Sequence, residues 1–306
     1  MMAVCRASKY SPIHSTWELQ YAPSSTQANK TAVLLYVAKN GLTLQYAHTE
    51  LRNDLEVVLE AIKNNAWAVV FANELLRGNK MVMMEVVTQN GMLLSYASKE
   101  LQDDIDVVMT AVSNNGYALC HASKKMQKNK LVVIMAVSNE GCALKYVFED
   151  LQGHFGVVFE AVTQNGWALE YASNRLRKNL TIVSAAVTQN GHAIQFALKY
   201  DIQIVLSAVS QNKKVLPFLP EKFSKNPQVI LTALKNDVKC LNYIDHSMFQ
   251  NPDFIWSILN MGILPSPRKR GGACINLIYK CRIISELCIP TSLKNMLFMY
   301  LAFLPN

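Results

Sequence analysis

Asparagine returns every 25 residues along this 306-residue chain, at Asn40, Asn65, Asn90 and Asn115, then, past Glu140 in the same register, at Asn165 and Asn190. After one step of 22 to Asn212, Asp237 and Gly262 restore the spacing. A fixed short period constrains the fold more than any single motif, because each copy must be a small unit that buries its apolar face only by stacking on its neighbours. The same register carries an aromatic column, Tyr21, Tyr46, Phe71, Tyr96, Tyr146, Tyr171, Phe196, Phe218 and Tyr243, with His121 in one copy. It also carries β-branched pairs such as Val57-Val58, Val107-Val108, Val157-Val158 and Ile182-Val183.

Asn-Gly between apolar runs, as at Asn165-Gly166, is a strong hairpin signal when read alone. The flanking pattern decides against it. Phe155, Val158, Phe159, Ala161 and Val162 recur at helical rather than alternating spacing, as do Ala168, Tyr171, Ala172 and Leu176. The repeat boundary holds Asn29, Asp54, Asn79, Asp104, Asn129, His154, Asn179, Asp201, Asn226 and Asn251. All but His154 are side chains whose oxygen accepts the unpaired N–H groups of a helix start. Pro227 and Pro252 follow two of them, at the first helical position where a missing N–H costs nothing.

The spacing therefore predicts two short helices per repeat. The first runs from the Asn/Asp cap to the Asn-Gly pair, where glycine serves as a left-handed terminating residue. The second starts at the following Trp/Tyr/Leu position and ends near Leu-Arg, with small Ala168 and Ala172 permitting close approach. Helices this short are marginal alone, so stacking through the β-branched pairs and the Tyr171/Leu176 type pair must supply the burial. The fold class is all-α, an α-solenoid of tandem two-helix repeats.

The pattern AVxxNGxALxYASxxLxxD over roughly residues 30–245 resembles the tandem repeat of the domain-of-unknown-function family 4116 (DUF4116). Ala66 and Lys213-Lys214 depart from it at the glycine, and the tail after Pro265 does not match. The resemblance brings no catalytic residues and no cofactor, and it implies a repeat scaffold. The family occurs in bacteria that live inside protists, in some protists and in large viruses, which suggests an effector acting in a host cell.

Composition narrows the setting. Cys5, Cys120, Cys142, Cys240, Cys274, Cys281 and Cys288 are odd in number and contain no CxxC, which argues against a disulfide framework or zinc site and for a reducing, intracellular setting. The start MMAVCRASKYSPIHS turns polar too soon for a secretory signal, and the apolar tail Met296–Leu304 is too short to span a bilayer. The cytoplasm, or a host cytosol reached without a signal peptide, is the expected location. Residues 1–150 hold 14 Lys+Arg against 14 Asp+Glu, whereas residues 151–306 hold 16 against 8, so the whole net charge of +8 lies in the second half.

No phosphate loop, HExxH or nucleophile elbow is present. His121 stands in for a core tyrosine, and Asp103, Asp104 and Asp106 read as a cap and a helix's first turn. Cys274, Cys281 and Cys288 share one helix face but are too far apart along its axis to hold one metal ion.

Two features remain as candidate binding sites. The polar ledge before each glycine, including Gln89, Asn114, Gln164 and Gln189, offers amides to an extended peptide or to bases, or else closes helix ends. The position after the glycine varies while its neighbours keep their type: Trp17, Leu42, Trp67, Met92, Tyr117, Cys142, Trp167, His192, Lys214 and Lys239. It suits either a varied ligand or ordinary packing. Basic clusters at Lys124, Lys125, Lys128 and Lys130, at Arg175, Arg177 and Lys178, and in Ser266–Gly272 are solvated faces or sites for anions.

The organisation expected is an N-terminal segment (1–11), a helical repeat array (12–264), a Pro/Gly basic linker (265–272) and a C-terminal helical segment (273–306). The function expected is a non-enzymatic scaffold, a monomer without a transmembrane segment, that binds a protein or extended peptide along its concave face. Nucleic acid bound through the basic C-terminal half is the alternative, and an enzyme with a site assembled across repeats the third.

Overall fold

A computed structural model describes residues 18–236 together with Cys240, Met248, Phe254, Ser257 and Ile258. The expected N-terminal segment, linker and C-terminal helical segment lie outside the described residues. The described chain is helical and falls into two compact units that meet in sequence at Gln164 and Asn165.

In the first unit, ten-residue α-helices recur at Lys30–Lys39, Leu55–Asn64, Lys80–Gln89, Ile105–Asn114, Lys130–Asn139 and Phe155–Gln164. The second unit has them at Leu180–Gln189, Ile202–Gln211 and Pro227–Asn236. Each begins at its anticipated cap. Asp104 Oδ1 accepts from the backbone N–H of Asp106 and Val107 at 3.0 and 3.2 Å, and Asn179 Oδ1 accepts from Thr181 and Ile182 at 3.0 and 3.2 Å. Even His154 serves, its Nδ1 lying 3.4 Å from the Val157 nitrogen.

The second half of the repeat differs from the expected α-helix. It is a six-residue 3₁₀ helix, as at Gly91–Tyr96 and Gly166–Tyr171, and a separate one-turn element follows, such as Glu74–Arg77 or Leu176–Lys178. The break falls at an alanine in extended conformation, Ala97 (φ −68°, ψ 153°) or Ala172 (φ −73°, ψ 150°). Six residues at three per turn make two turns of such a helix.

The glycine is also not a left-handed terminator. Asn165 is extended (φ −148°, ψ 113°) and turns the chain; its Oδ1 accepts from Trp167 N–H at 3.0 Å, so it caps the 3₁₀ helix of which Gly166 is the first residue. Glycine is needed for space. A Cβ at Gly41, Gly91 or Gly116 would stand 2.1, 2.1 or 2.2 Å from the carbonyl oxygen of Ala61, Ala111 or Ala136 in the following repeat. In the second unit the same approach is 2.4 Å from Gly166 to Ala186 and 2.7 Å from Gly191 to Ala208.

The core follows from these contacts. Val57, Val58, Ala61 and Ile62, and their counterparts in every later first helix, are buried, together with Leu44, Val69, Leu94, Leu119 and Leu144 from the 3₁₀ helices. The aromatic column is not part of it: Tyr46, Phe71, Tyr96, His121, Tyr146, Tyr171 and Phe196 are half-buried and Phe218 is exposed. Phe155 and Phe159 also leave the expected core stripe and stack on each other in solvent, centroids 5.8 Å apart.

Candidate functional site

Gly91 N–H donates to Asn114 Oδ1 at 2.8 Å, and Asn114 Nδ2 donates to the Thr88 carbonyl at 2.9 Å. The same exchange joins Gln164 to Gly141 N–H (2.6 Å) and the Asn139 carbonyl (2.9 Å). Gln189 Oε1 accepts from Gly166 N–H at 2.6 Å. The ledge amides are thus clamps: each ties the helix end of one repeat to the 3₁₀ start of the one before, satisfying backbone groups both helices leave open. Gln89 differs, in a copy where Ala66 stands in the glycine register of the repeat before it and Val86 in the alanine register. Its Nε2 donates to the Ile62 carbonyl and to Glu85 Oε1, both at 3.0 Å.

The variable position lies on the 3₁₀ side of the repeat, and its rings meet the aromatic column of the following copy. Trp67, half exposed, sets an edge against Tyr96 at 6.5 Å. Tyr117 packs beside Cys142 and Tyr146, and its phenol is held above its ordinary value by burial first and by Cys142 next. Trp167 stacks on His192 at 6.2 Å with 25° between planes and meets Phe196 edge-on at 5.5 Å. Asn212 Oδ1 accepts from Lys214 N–H at 2.9 Å, so its Nδ2 is the donor to His192 Nε2 at 2.9 Å. Lys239 lies outside the described residues, as does Trp17.

Several charged groups in the first unit are paired across neighbouring repeats. Lys30 Nζ bridges Asp54 (2.8 Å) and Glu56 (2.7 Å), and Lys80 Nζ bridges Asp104 (2.8 Å) and Asp106 (2.7 Å). The ammonium beside each cap lowers the carboxyls of Asp54 and Asp104 and is itself raised by them. Asp103 is lowered by Ser123 first and by Lys125 at 3.0 Å second. Burial pushes His121 down and the Cys120 thiol up. Among the described residues no group of three or more His, Cys, Asp or Glu side chains is placed to hold a metal ion, and no helix is long and apolar enough to cross a membrane.

A surface the motif reading missed is the outer side of the first helices in residues 18–164. These helices lie side by side, and along them Leu35, Met81, Ile105, Leu131, Met135, Phe155 and Phe159 are all exposed. Its signal was present in the sequence: the segment KLVVIMAVSN has a single charged residue, so it cannot present a polar face to solvent.

No curated protein and no solved structure matches the chain. A family model does, over residues 29–77, 79–127, 104–152, 155–200 and 201–249, each match spanning two of the 25-residue repeats. The chain therefore belongs to the family described as Domain of unknown function (DUF4116).

Proposed function

We propose that the protein is a non-enzymatic repeat scaffold that holds a protein partner on the outer face of the first helices in residues 18–164. What supports this is the row of seven large exposed apolar side chains from Leu35 to Phe159. Single exposed leucines are ordinary, but exposed apolar side chains recurring on neighbouring helices are what protein-interaction surfaces present. Met81 and Met135 add adaptable side chains that fit a partner's contours with little strain. On the family likeness alone, the scaffold acts as an effector in the cytosol of a host cell.

The test places charge on that face. Leu131→Glu with Met135→Glu changes two exposed positions and leaves Val132, Val133, Ala136 and Val137, the buried side of the same helix, untouched. Circular dichroism and the thermal midpoint are expected to stay near wild type, while crosslinked partners recovered from host-cell lysate are lost. Recovery of the same partners by the folded variant would end the reading.

A further inference from the structure

We infer that the second unit carries a separate site, a face for single-stranded nucleic acid made of the Trp167 stack and the cations beside it. Residues 165–236 hold nine Lys+Arg against three Asp+Glu, an excess of six in a stretch of 72 residues. Charge of one sign on so small a unit attracts a polyanion and repels basic partners.

The excess adjoins exposed rings. Trp167 is 39% exposed and is already stacked on His192, with Phe196 closing one edge. His192 is bonded through Asn212 to the start of the next 3₁₀ helix, which puts exposed Lys214 in the same column directly after the two rings. The one-turn element or bend that follows the 3₁₀ helix supplies a further exposed lysine in three successive copies: Lys178, Lys199 and Lys222. One of these turns touches the aromatic column itself, since Arg177 Nε donates to the Phe196 carbonyl at 2.6 Å. Rings with a free face beside an edge of cations are the two elements that hold a single strand, bases on the rings and phosphates along the edge.

The outer face of the same unit does not offer a protein partner the surface described above. Its first helices present Thr181, Ser184, Thr188, Gln203 and Ser210 to solvent, with Leu180 the one large apolar side chain exposed on them among the described residues. A duplex keeps its bases paired and stacked, so it has none to lay on the Trp167 ring.

The full chain is titrated, by fluorescence anisotropy, into a labelled single strand of about twelve nucleotides and into an abasic strand of the same length and charge. Stacking of one base is expected to make the ordinary strand bind about tenfold more tightly. Trp167→Ala removes that preference and Trp167→Phe keeps part of it. With about four phosphates neutralised, affinity falls about 50-fold between roughly 50 and 200 mM salt. Lys178→Glu with Lys199→Glu and Lys222→Glu abolishes binding at the lower salt without loss of helicity. Equal affinity for the ordinary and abasic strands by the wild-type chain overturns the inference, whatever the variants do. So does equal affinity for duplex and single strand, or the absence of binding at low salt.

Discussion

The two units share one backbone recipe and spend it on different surfaces. In residues 18–164 the outer side of the first helices is Leu, Met, Ile and Phe, and lysines such as Lys30 and Lys80 are locked to the acidic caps of the next repeat. In residues 165–236 the outer side is rich in Thr and Ser, lysine is absent from the first helical position, and the cations stand in the turns beside the aromatic column. What most of the repeats share is what stacking requires: the capped start, the buried Val/Ile pair, the amide clamp and, except at Ala66 and Lys213, the glycine pressed on a carbonyl. What differs is exposed. A repeat protein can therefore change its partner by changing outward positions while its core stays constant.

The glycine tests the shared part, and the largest effect is expected there. Gly91→Ala would place a methyl 2.1 Å from the Ala111 carbonyl oxygen, against 2.7 Å for Gly191→Ala at Ala208. Overpacking of this kind costs about 1–3 kcal/mol, with Gly91 at the upper end and Gly191 below it. Urea unfolding midpoints of the two variants measure the order. Equal and negligible shifts would mean that the repeats separate easily, which the array does not allow, whereas a reversed order would show the second unit to be the more tightly packed.

The cap tests the difference. Asp104→Ala removes both the oxygen that accepts from Asp106 and Val107 and one of the two partners of Lys80, and is expected to cost about 1–2 kcal/mol. Asp104→Asn keeps the capping oxygen and loses only an exposed ion pair, so its cost is smaller. Asn179→Ala in the second unit removes a cap with no lysine attached and is expected at about 1 kcal/mol. If Asp104→Asn proves as damaging as Asp104→Ala, the ion pair and not the cap dominates in the first unit.

The period, the caps and the helical class were legible because each leaves a column of one residue type at a fixed spacing. Asp54, Asp104 and Asn179 could be placed by counting, since only an Asn/Asp side chain at that offset closes a helix start. The role of the glycine was not legible. Asn165-Gly166 reads the same whether glycine is required for its backbone angles or for the 2.4 Å approach of Ala186, and only the neighbour's position separates the two. The 3₁₀ character of Gly166–Tyr171 was hidden for a related reason: Ala168, Leu169 and Tyr171 suit either helix. Of the candidate site residues, Trp67, Tyr117, Trp167 and His192 do lie on one side of the repeat, a consequence of their register. The ledge amides at Asn114 and Gln164 are engaged by backbone groups 23 to 26 residues away, contacts that no local pattern encodes.

The smallest expected effect concerns acid, and it separates the units by sign and location. Asp54 and Asp104 are held below their ordinary 3.8 by the lysine beside each. A carboxylate depressed in the folded chain binds its proton less readily there than in the unfolded one, so its contribution is complete above 3.8 and is lost as the pH falls below that value. Lys30 and Lys80 are raised above 10.5, so on the alkaline side the same pairs persist until the pH climbs past that point. Thermal midpoints compared at about pH 5 and about pH 2.5 should therefore drop less in an Asp54→Asn/Asp104→Asn variant, which keeps both capping oxygens but cannot titrate there. Raised salt weakens the wild-type pairs and leaves the variant unmoved. A variant that loses as much stability to acid as the wild type would place the acid-sensitive groups elsewhere and remove the lysine-to-cap pairing from the list of what distinguishes the first unit.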